Sequence, residues 1–169
     1  MKNDEIELFQ KYLKISNKFL EYGSGGSTLL ASNYVKEIIT IETDQNWINK
    51  IKQFNNKNIT FIYINIDCVW WKYVSWAEKP LKPDNNMKQL WKKYSTIPID
   101  FDMDLILIDG RFRVATLLNL YDKIKNDNTN ILVHDYTHRK GYHILELFFD
   151  KVECVNTLQV FKKKQNIDR

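Results

Sequence analysis

An apolar run changes abruptly into glycines in the segment Phe19-Leu20-Glu21-Tyr22-Gly23-Ser24-Gly25-Gly26-Ser27-Thr28. An apolar run followed by glycines predicts a strand, a tight turn and the start of a helix. Glycine has no Cβ, so the backbone can turn sharply and a ligand can approach its amide groups, while the helix start presents unpaired N–H donors. Glu42, which ends the next apolar run, can accept both hydroxyls of a ribose. The segment therefore predicts a nucleoside-binding turn.

The residues around the glycines indicate which ligand suits this turn. A dinucleotide site has the pattern Gly-x-Gly-x-x-Gly and faces a pyrophosphate, whereas Thr28 stands at the third position here. Glu21 precedes the turn, and a carboxylate is unfavourable beside phosphates but favourable beside an ammonium. S-adenosylmethionine carries an ammonium and a sulfonium and no phosphate, so the pattern favours it. An NAD-type Rossmann oxidoreductase is the alternative interpretation.

Glu21-Tyr22-Gly23-Ser24-Gly25 resembles the first motif of class I S-adenosylmethionine-dependent methyltransferases, and this resemblance extends over nearly the whole chain. It implies the cofactor S-adenosyl-L-methionine, with Glu21 and the glycine backbone at the methionine part, Glu42 at the ribose and Asp67 at the adenine amino group. A solvated strand-end carboxylate is the other interpretation of Glu42. The cofactor-binding residues expected from the resemblance are Glu21, Gly23, Ser24, Gly25, Ser27, Thr28, Glu42, Thr43, Asp67, Cys68 and Asp109.

The composition is that of an ordinary folded domain. The chain has 169 residues, 44% of them apolar, which predicts a single domain over residues 1–169 with a hydrophobic core. Cys68 and Cys154 lack metal-ligand spacing and are too few for a disulfide framework, which favours a reducing, cytoplasmic location. No apolar run approaches the roughly 20 residues of a membrane span. The net charge of +4 is spread along the chain, which argues against nucleic acid as a partner.

Strand-like and helix-like segments alternate along the chain, which predicts a doubly wound, Rossmann-like α/β sandwich. Helical spacing predicts helices over Glu5–Ile15, Ser27–Asn33, Gln45–Phe54, Val114–Ile124 and Gly141–Phe149. Apolar and β-branched runs predict strands over Lys18–Glu21, Val35–Ile41, Ile59–Ile64, Met103–Gly110, Asn130–Tyr136, Val152–Val155 and Leu158–Phe161. Trp47 is expected on the inward face of its helix. The last two strands resemble the antiparallel hairpin of the methyltransferase sheet, which implies a mostly parallel sheet of seven strands.

The alternation stops between residues 68 and 102, where aromatic residues concentrate. In a doubly wound fold this insertion lies at the carboxyl edge of the sheet, where ligands bind, so we expect it to cover the substrate. Trp70, Trp71 and Trp76 are predicted substrate contacts, because flat rings stack on a sugar or a base. Packing of the insertion on the domain is an equal alternative for these rings and for Trp91 and Tyr94.

Polar residues follow the predicted strands that end near Asp109 and His134. Methyl transfer is an in-line displacement, so the protein has to align the acceptor and, for a hydroxyl, take its proton. Strand ends converge on the ligand crevice, which brings together the predicted catalytic residues Asp109, Arg111, His134 and Asp135. Histidine has the pKa best suited to proton abstraction near neutrality, so His134 is the predicted base.

Arginine and aromatic residues beside these strand ends are candidates for the substrate. A guanidinium pairs with carboxylates and phosphates, so Arg111, next to the strand end, is a predicted substrate contact, and Arg113 is predicted to form an ion pair. Tyr136 and His143 are further predicted substrate contacts. For His143, on an amphipathic helix, a structural role is the alternative.

Asp109-Gly110-Arg111-Phe112-Arg113-Val114-Ala115 resembles a signature of small class I methyltransferases. More distantly, it is similar to sugar O-methyltransferases in which an Asp-Gly and a paired Asp-Asp hold magnesium. This chain has His134-Asp135 in place of that pair, so we predict an enzyme without a metal. Under the alternative of a divalent cation, Asp109 and Asp135 supply the oxygen ligands.

The residues available at the strand ends indicate the acceptor. The fourth strand lacks the Pro-Pro-aromatic motif with which many nucleic-acid methyltransferases position an exocyclic nitrogen. A histidine, a carboxylate and an aromatic cover favour a hydroxyl on a sugar, glycan or other small molecule. The sequence therefore predicts an S-adenosylmethionine-dependent O-methyltransferase. A non-catalytic binding module with the same fold is the alternative from a different class.

Overall fold

A computed structural model describes residues 1–54, 57–66, 85–98 and 102–165. The α-helices within these residues are α1 (Asn3–Leu13), α2 (Gly26–Ala31), α3 (Gln45–Lys52), α4 (Asn85–Ser95) and α5 (Arg113–Leu120), and a 3₁₀ helix spans Lys140–Leu147. The strands are β1 (Lys18–Tyr22), β2 (Glu37–Glu42), β3 (Ile59–Tyr63), β4 (Leu105–Ile108), β5 (Asn130–Val133), β6 (Phe149–Val155) and β7 (Leu158–Lys163). In this described part of the chain, no helix has both the length and the apolar character needed to cross a membrane.

The strands form one seven-stranded sheet in the order β3-β2-β1-β4-β5-β7-β6. Strands β1 to β5 pair in parallel, whereas β7 pairs antiparallel with both β5 and β6. The predicted fold class, including the antiparallel end, is confirmed. The strand order reverses between β1 and β4, and in open α/β sheets ligands bind outside the carboxyl ends of the strands at such a point.

Side chains of β4 show why the sheet is covered on both faces. Leu105 and Leu107 pack in a core cluster with α1 and α2, while Ile106 and Ile108 pack in a second cluster with α4 and α5. All four are fully buried. Since side chains alternate across a strand, a continuous apolar run is the pattern of a strand that is buried on both faces.

One local prediction is wrong, and another is correct only in part. Trp47 is 41% exposed, because Ile48 and Ile51 alone form the buried face of α3 and the Trp47 indole N–H turns toward the carbonyl of Ser24 at 2.7 Å. The segment predicted as a helix over Gly141–Phe149 is a 3₁₀ helix that ends before Phe149. Strand β6 begins there instead, because Phe149 is buried against the rings of Tyr121 and Phe161.

Candidate functional site

A cavity of about 660 Å³ lies at the carboxyl ends of β1, β2 and β4. Its volume falls within the roughly 300 to 1,000 Å³ of small-molecule sites. The glycine turn, Glu42 and Thr43 form its polar side, and α1 supplies an apolar wall. The described residues that line it are Met1, Ile6, Phe9, Gly23, Ser24, Gly25, Gly26, Ser27, Leu30, Glu42, Thr43, Tyr94, Asp109, Gly110, Arg111 and Arg113.

Two glycines pack backbone against backbone beside this cavity. Gly23 has φ +95°, and a Cβ built on it would lie 2.8 Å from the Cα and N of Gly110. A Cβ on Gly110 would in turn lie 2.8 Å from the carbonyl carbon of Tyr22 and 2.1 Å from the hydroxyl oxygen of Tyr94. The close approach of the chain segments that follow β1 and β4 therefore requires glycine in both segments.

Glu21 lies fully buried next to the glycine turn. Its carboxyl group accepts hydrogen bonds from the hydroxyls of Ser27, Thr28 (2.5 Å) and Thr40 (3.3 Å). Burial raises the pKa of Glu21 to about 8, with the charge of Asp109 acting in the same direction. Thr28 also accepts the N–H of Gly25 at 2.8 Å, so Glu21 supports the turn through hydroxyl groups. Glu21 is not one of the residues that line the cavity, and its contact with a ligand stays a prediction.

The carboxylate of Glu42 is fixed on the cavity wall by the turn that faces it. One oxygen accepts the N–H and the hydroxyl of Ser24, at 3.0 and 3.1 Å. The other accepts the N–H groups of Thr43 and Asp44, at 2.5 and 3.0 Å. With the Trp47 bond to Ser24, these contacts join the ends of β1 and β2 to the start of α3. Each Glu42 oxygen thus has a set orientation before any ligand binds.

A compact charged cluster lies at the ends of β4 and β5. Arg113, whose side chain is 12% exposed, pairs with Asp109 at 2.9 Å and with Asp135 at 3.1 Å. Its guanidinium also donates to the backbone carbonyls of Gly110, Asp109 and His134. The predicted ion-pair role of Arg113 is confirmed, and three of the four predicted catalytic side chains, Asp109, His134 and Asp135, do lie together.

His134 lies between two carboxylates. Its Nδ1 is 3.0 Å from Asp109, and its Nε2 is 3.4 Å from Glu5 of α1. The hydrogen bond with Asp109 raises the pKa of His134. Burial acts to raise the pKa of Glu5, but hydrogen bonds from Thr157 and Lys2 outweigh it and lower this pKa to about 2. Glu5 therefore stays ionised beside the imidazole ring. The carboxylates of Asp109 and Glu5 both favour the imidazolium form of His134. Asp109 lines the cavity, whereas His134 does not.

The same cluster contains the donor set considered for a metal. Ligand atoms of Asp109, His134 and Asp135 lie within 4.8 Å of one another. However, the Arg113 guanidinium contacts both carboxylates and supplies the positive charge that a divalent cation would bring. The donor set therefore fits a divalent cation poorly.

The remaining predicted residues divide between cavity and core. Arg111 lines the cavity. Tyr136 is buried and donates its hydroxyl hydrogen to Glu146 at 2.6 Å. Its ring packs against the exposed ring of His143. Neither Tyr136 nor His143 is among the residues that line the cavity. Their assignment to substrate stays a prediction. The predictions for Asp67, Cys68, Trp70, Trp71 and Trp76 lie outside the described residues.

Comparisons with known proteins show what this architecture is similar to. No protein-family model and no curated protein matches the chain. A methyltransferase-like protein from Silicibacter pomeroyi is 22% identical with a TM-score of 0.77, covering 100% of this chain and 89% of its own. The N-methyltransferase NodS from Bradyrhizobium japonicum is 15% identical with a TM-score of 0.60, covering 97% and 99%.

A third solved structure carries a ligand. A putative methyltransferase from Streptococcus mutans, crystallised with S-adenosylhomocysteine, is 12% identical with a TM-score of 0.53 and covers 97% of this chain and 100% of its own. At these low sequence identities, the structural likeness shows the fold alone. The chain therefore has the Rossmann-like fold that these methyltransferase structures share.

Proposed function

We propose that this chain is an S-adenosylmethionine-dependent methyltransferase. The observation that carries the proposal is the fixed carboxylate of Glu42, which borders a glycine-lined cavity at the point where the strand order reverses. Two neighbours of this fold, NodS and the Streptococcus mutans protein, were crystallised with S-adenosylhomocysteine. The cofactor would supply an activated methyl carbon, and the protein would hold and align both reactants.

The roles follow from the groups that face the cavity. Glu42 accepts the ribose hydroxyls, and the turn from Gly23 to Gly25 contacts the amino-acid part through its backbone. Glu21 acts on that part through the hydroxyls of Ser27 and Thr28, which it binds. Asp67 remains the proposed contact of the adenine amino group, and Cys68 remains a proposed cofactor-binding residue. The glycine turn carries no basic side chain. Two arginines are among the described residues that line the cavity, and one of them, Arg113, already pairs with two aspartates. This charge distribution disfavours a pyrophosphate beside the turn.

Calorimetry with the isolated protein tests this assignment. We expect S-adenosylhomocysteine to bind at least tenfold more tightly than NAD. Glu42→Gln should weaken its binding by about ten- to a hundredfold, because hydrogen bonds to a charged group contribute about 1.5–3 kcal/mol. Glu37→Gln, at the exposed start of the same strand, is the matched control and should bind like the wild type. Tighter binding of NAD would contradict the proposal.

For the acceptor we propose a hydroxyl on a sugar, a glycan or another small molecule. Asp109 faces the cavity and contacts His134 directly, so the pair can orient the hydroxyl and take its proton. As the new oxygen–carbon bond forms and the carbon–sulfur bond breaks, the hydroxyl proton passes to this pair. Because His134 does not line the cavity, Asp109 receives this proton and passes it to Nδ1 of neutral His134. In this proposal Arg111 contacts the substrate, and Asp135 holds Arg113 in place.

The pH dependence of methyl transfer tests this role for His134. The pKa of His134 is raised above 6.5, so its neutral form appears only at higher pH, and turnover should increase as pH rises through that raised pKa. His134→Gln should reduce turnover by about a hundredfold or more and remove this rise. His138→Gln, at an exposed histidine, should leave both unchanged. Mass spectrometry of hydroxyl acceptors provides the measurement, and full turnover by His134→Gln would refute the role. Ligand binding without transfer to any acceptor would indicate a binding module instead.

A further inference from the structure

Tyr94 reaches the cavity from the opposite side to α1. It lies near the end of α4 and is only 1% exposed, yet it is one of the residues that line the cavity. Its ring packs edge-on against Tyr22 at 5.5 Å and against Phe112 at 6.0 Å between ring centres. These contacts fix the direction of the side chain, so its hydroxyl has a defined position at the cavity wall.

The end of β4 is shaped around this hydroxyl. The Tyr94 oxygen accepts the backbone N–H of Arg111 at 3.1 Å. A Cβ on residue 110 would lie 2.1 Å from the same oxygen, so the hydroxyl occupies space that only a glycine leaves open. A side chain that only filled the core would need neither the hydrogen bond from Arg111 nor the space beside Gly110.

The Tyr94 hydroxyl keeps a hydrogen that it can donate. Burial raises the pKa of Tyr94, and the charge of Glu42 acts in the same direction, so the phenol keeps its proton. Arg111 already uses the oxygen as an acceptor, and within residues 1–54, 57–66, 85–98 and 102–165 no group accepts the hydroxyl proton. A buried donor without an acceptor is costly, and a ligand atom would satisfy it.

We propose that Tyr94 is a ligand-contact residue that donates its hydroxyl hydrogen to the nucleoside part of the bound cofactor. This inference rests on the proposed function, because Tyr94 lines the same cavity as Glu42, the proposed ribose partner. Tyr94 and Glu42 would then both contact the nucleoside, one as a neutral donor and the other as a charged acceptor.

Two matched tyrosine-to-phenylalanine substitutions test this contact. Tyr94→Phe should weaken the binding of S-adenosylhomocysteine about three- to tenfold, the worth of one neutral hydrogen bond. 5′-Methylthioadenosine lacks the amino-acid part, and its binding should weaken by the same factor. Tyr22→Phe is the control, because Tyr22 is equally buried, does not line the cavity and has a hydroxyl with no hydrogen-bond partner in the described part of the chain. It should bind both ligands like the wild type.

Calorimetry well below the unfolding temperature separates the outcomes. Wild-type affinity of Tyr94→Phe for both ligands would overturn the contact, and a loss seen with S-adenosylhomocysteine alone would place it on the amino-acid part and overturn the nucleoside assignment. An equal loss in Tyr22→Phe would mean that packing, rather than the hydroxyl, is responsible. If wild-type protein binds neither ligand, the proposed function itself fails, and this inference fails with it.

Discussion

Replacing Gly23 with alanine is expected to abolish the binding of S-adenosylhomocysteine and to destabilise the protein. The φ of +95° at Gly23 is a conformation that side chains rarely adopt, and a Cβ there would lie 2.8 Å from backbone atoms of Gly110. Backbone atoms at the end of a buried strand cannot move aside as a flexible side chain would. We expect a loss of about 2 kcal/mol or more in the free energy of unfolding from the backbone strain, and a fall in affinity of at least a hundredfold.

Gly141→Ala is the matched control for this change. A Cβ at Gly141 has no atom within 4 Å, and the residue lies in the 3₁₀ helix, outside the cavity lining. Its affinity should equal that of the wild type, and its stability should change by no more than about 0.5 kcal/mol. Calorimetry measures the affinities, and urea denaturation measures the stabilities. Retained binding by Gly23→Ala would show that the close contact of β1 and β4 is not needed for the ligand.

Replacing Arg113 with methionine should cause the largest loss of stability. The guanidinium is nearly buried and contacts two carboxylates and three backbone carbonyls. Removing one partner of a buried ion pair typically costs about 3–5 kcal/mol, because the remaining charge is left uncompensated. Since Asp109 and Asp135 are partly exposed, we expect about 3 kcal/mol. The measurement is the free energy of unfolding in urea.

A second arginine provides the comparison. Arg139 contacts the same Asp135 at 3.1 Å, but its side chain is 53% exposed. Exposed ion pairs contribute about 0–1 kcal/mol, so Arg139→Met should be nearly neutral. Equal losses in the two variants would contradict the view that burial and carbonyl contacts make Arg113 structurally decisive.

The sequence predicts the sheet because its signals are local. Alternating apolar segments, the glycines after β1 and the carboxylate at the end of β2 each lie within a few residues of the structure they specify. Strand ends of a parallel sheet must converge, which is why Asp109, His134 and Asp135 could be grouped before their distances were known. The ion-pair prediction for Arg113 rests on the general pairing of guanidinium groups with carboxylates, and the structure shows that its partners lie at adjacent strand ends.

Contacts between distant segments have no comparable signal. Glu5 looks like an ordinary acidic residue in the first turn of a surface helix, yet it lies buried beside His134. Tyr94 cannot be distinguished by sequence from the other aromatic residues of its segment, because its role depends on the space left by Gly110. The prediction for Trp47 is wrong because a large apolar ring favours burial, whereas the hydrogen bond of this ring to Ser24 holds it at the surface.

The bond between Glu5 and Thr157 has a consequence for the order in which the molecule is built. Thr157 lies in the turn between β6 and β7, and both its N–H and its hydroxyl donate to Glu5 of α1. During synthesis α1 leaves the ribosome long before this turn. The edge of β5 that pairs with β7 likewise stays without its partner strand until β7 has been made. The bonds from Thr157 to Glu5 therefore form only after the β6–β7 hairpin has been synthesised. Since α1 and the glycine turn both precede that hairpin in the chain, this link between α1 and the sheet is made later than the turn itself.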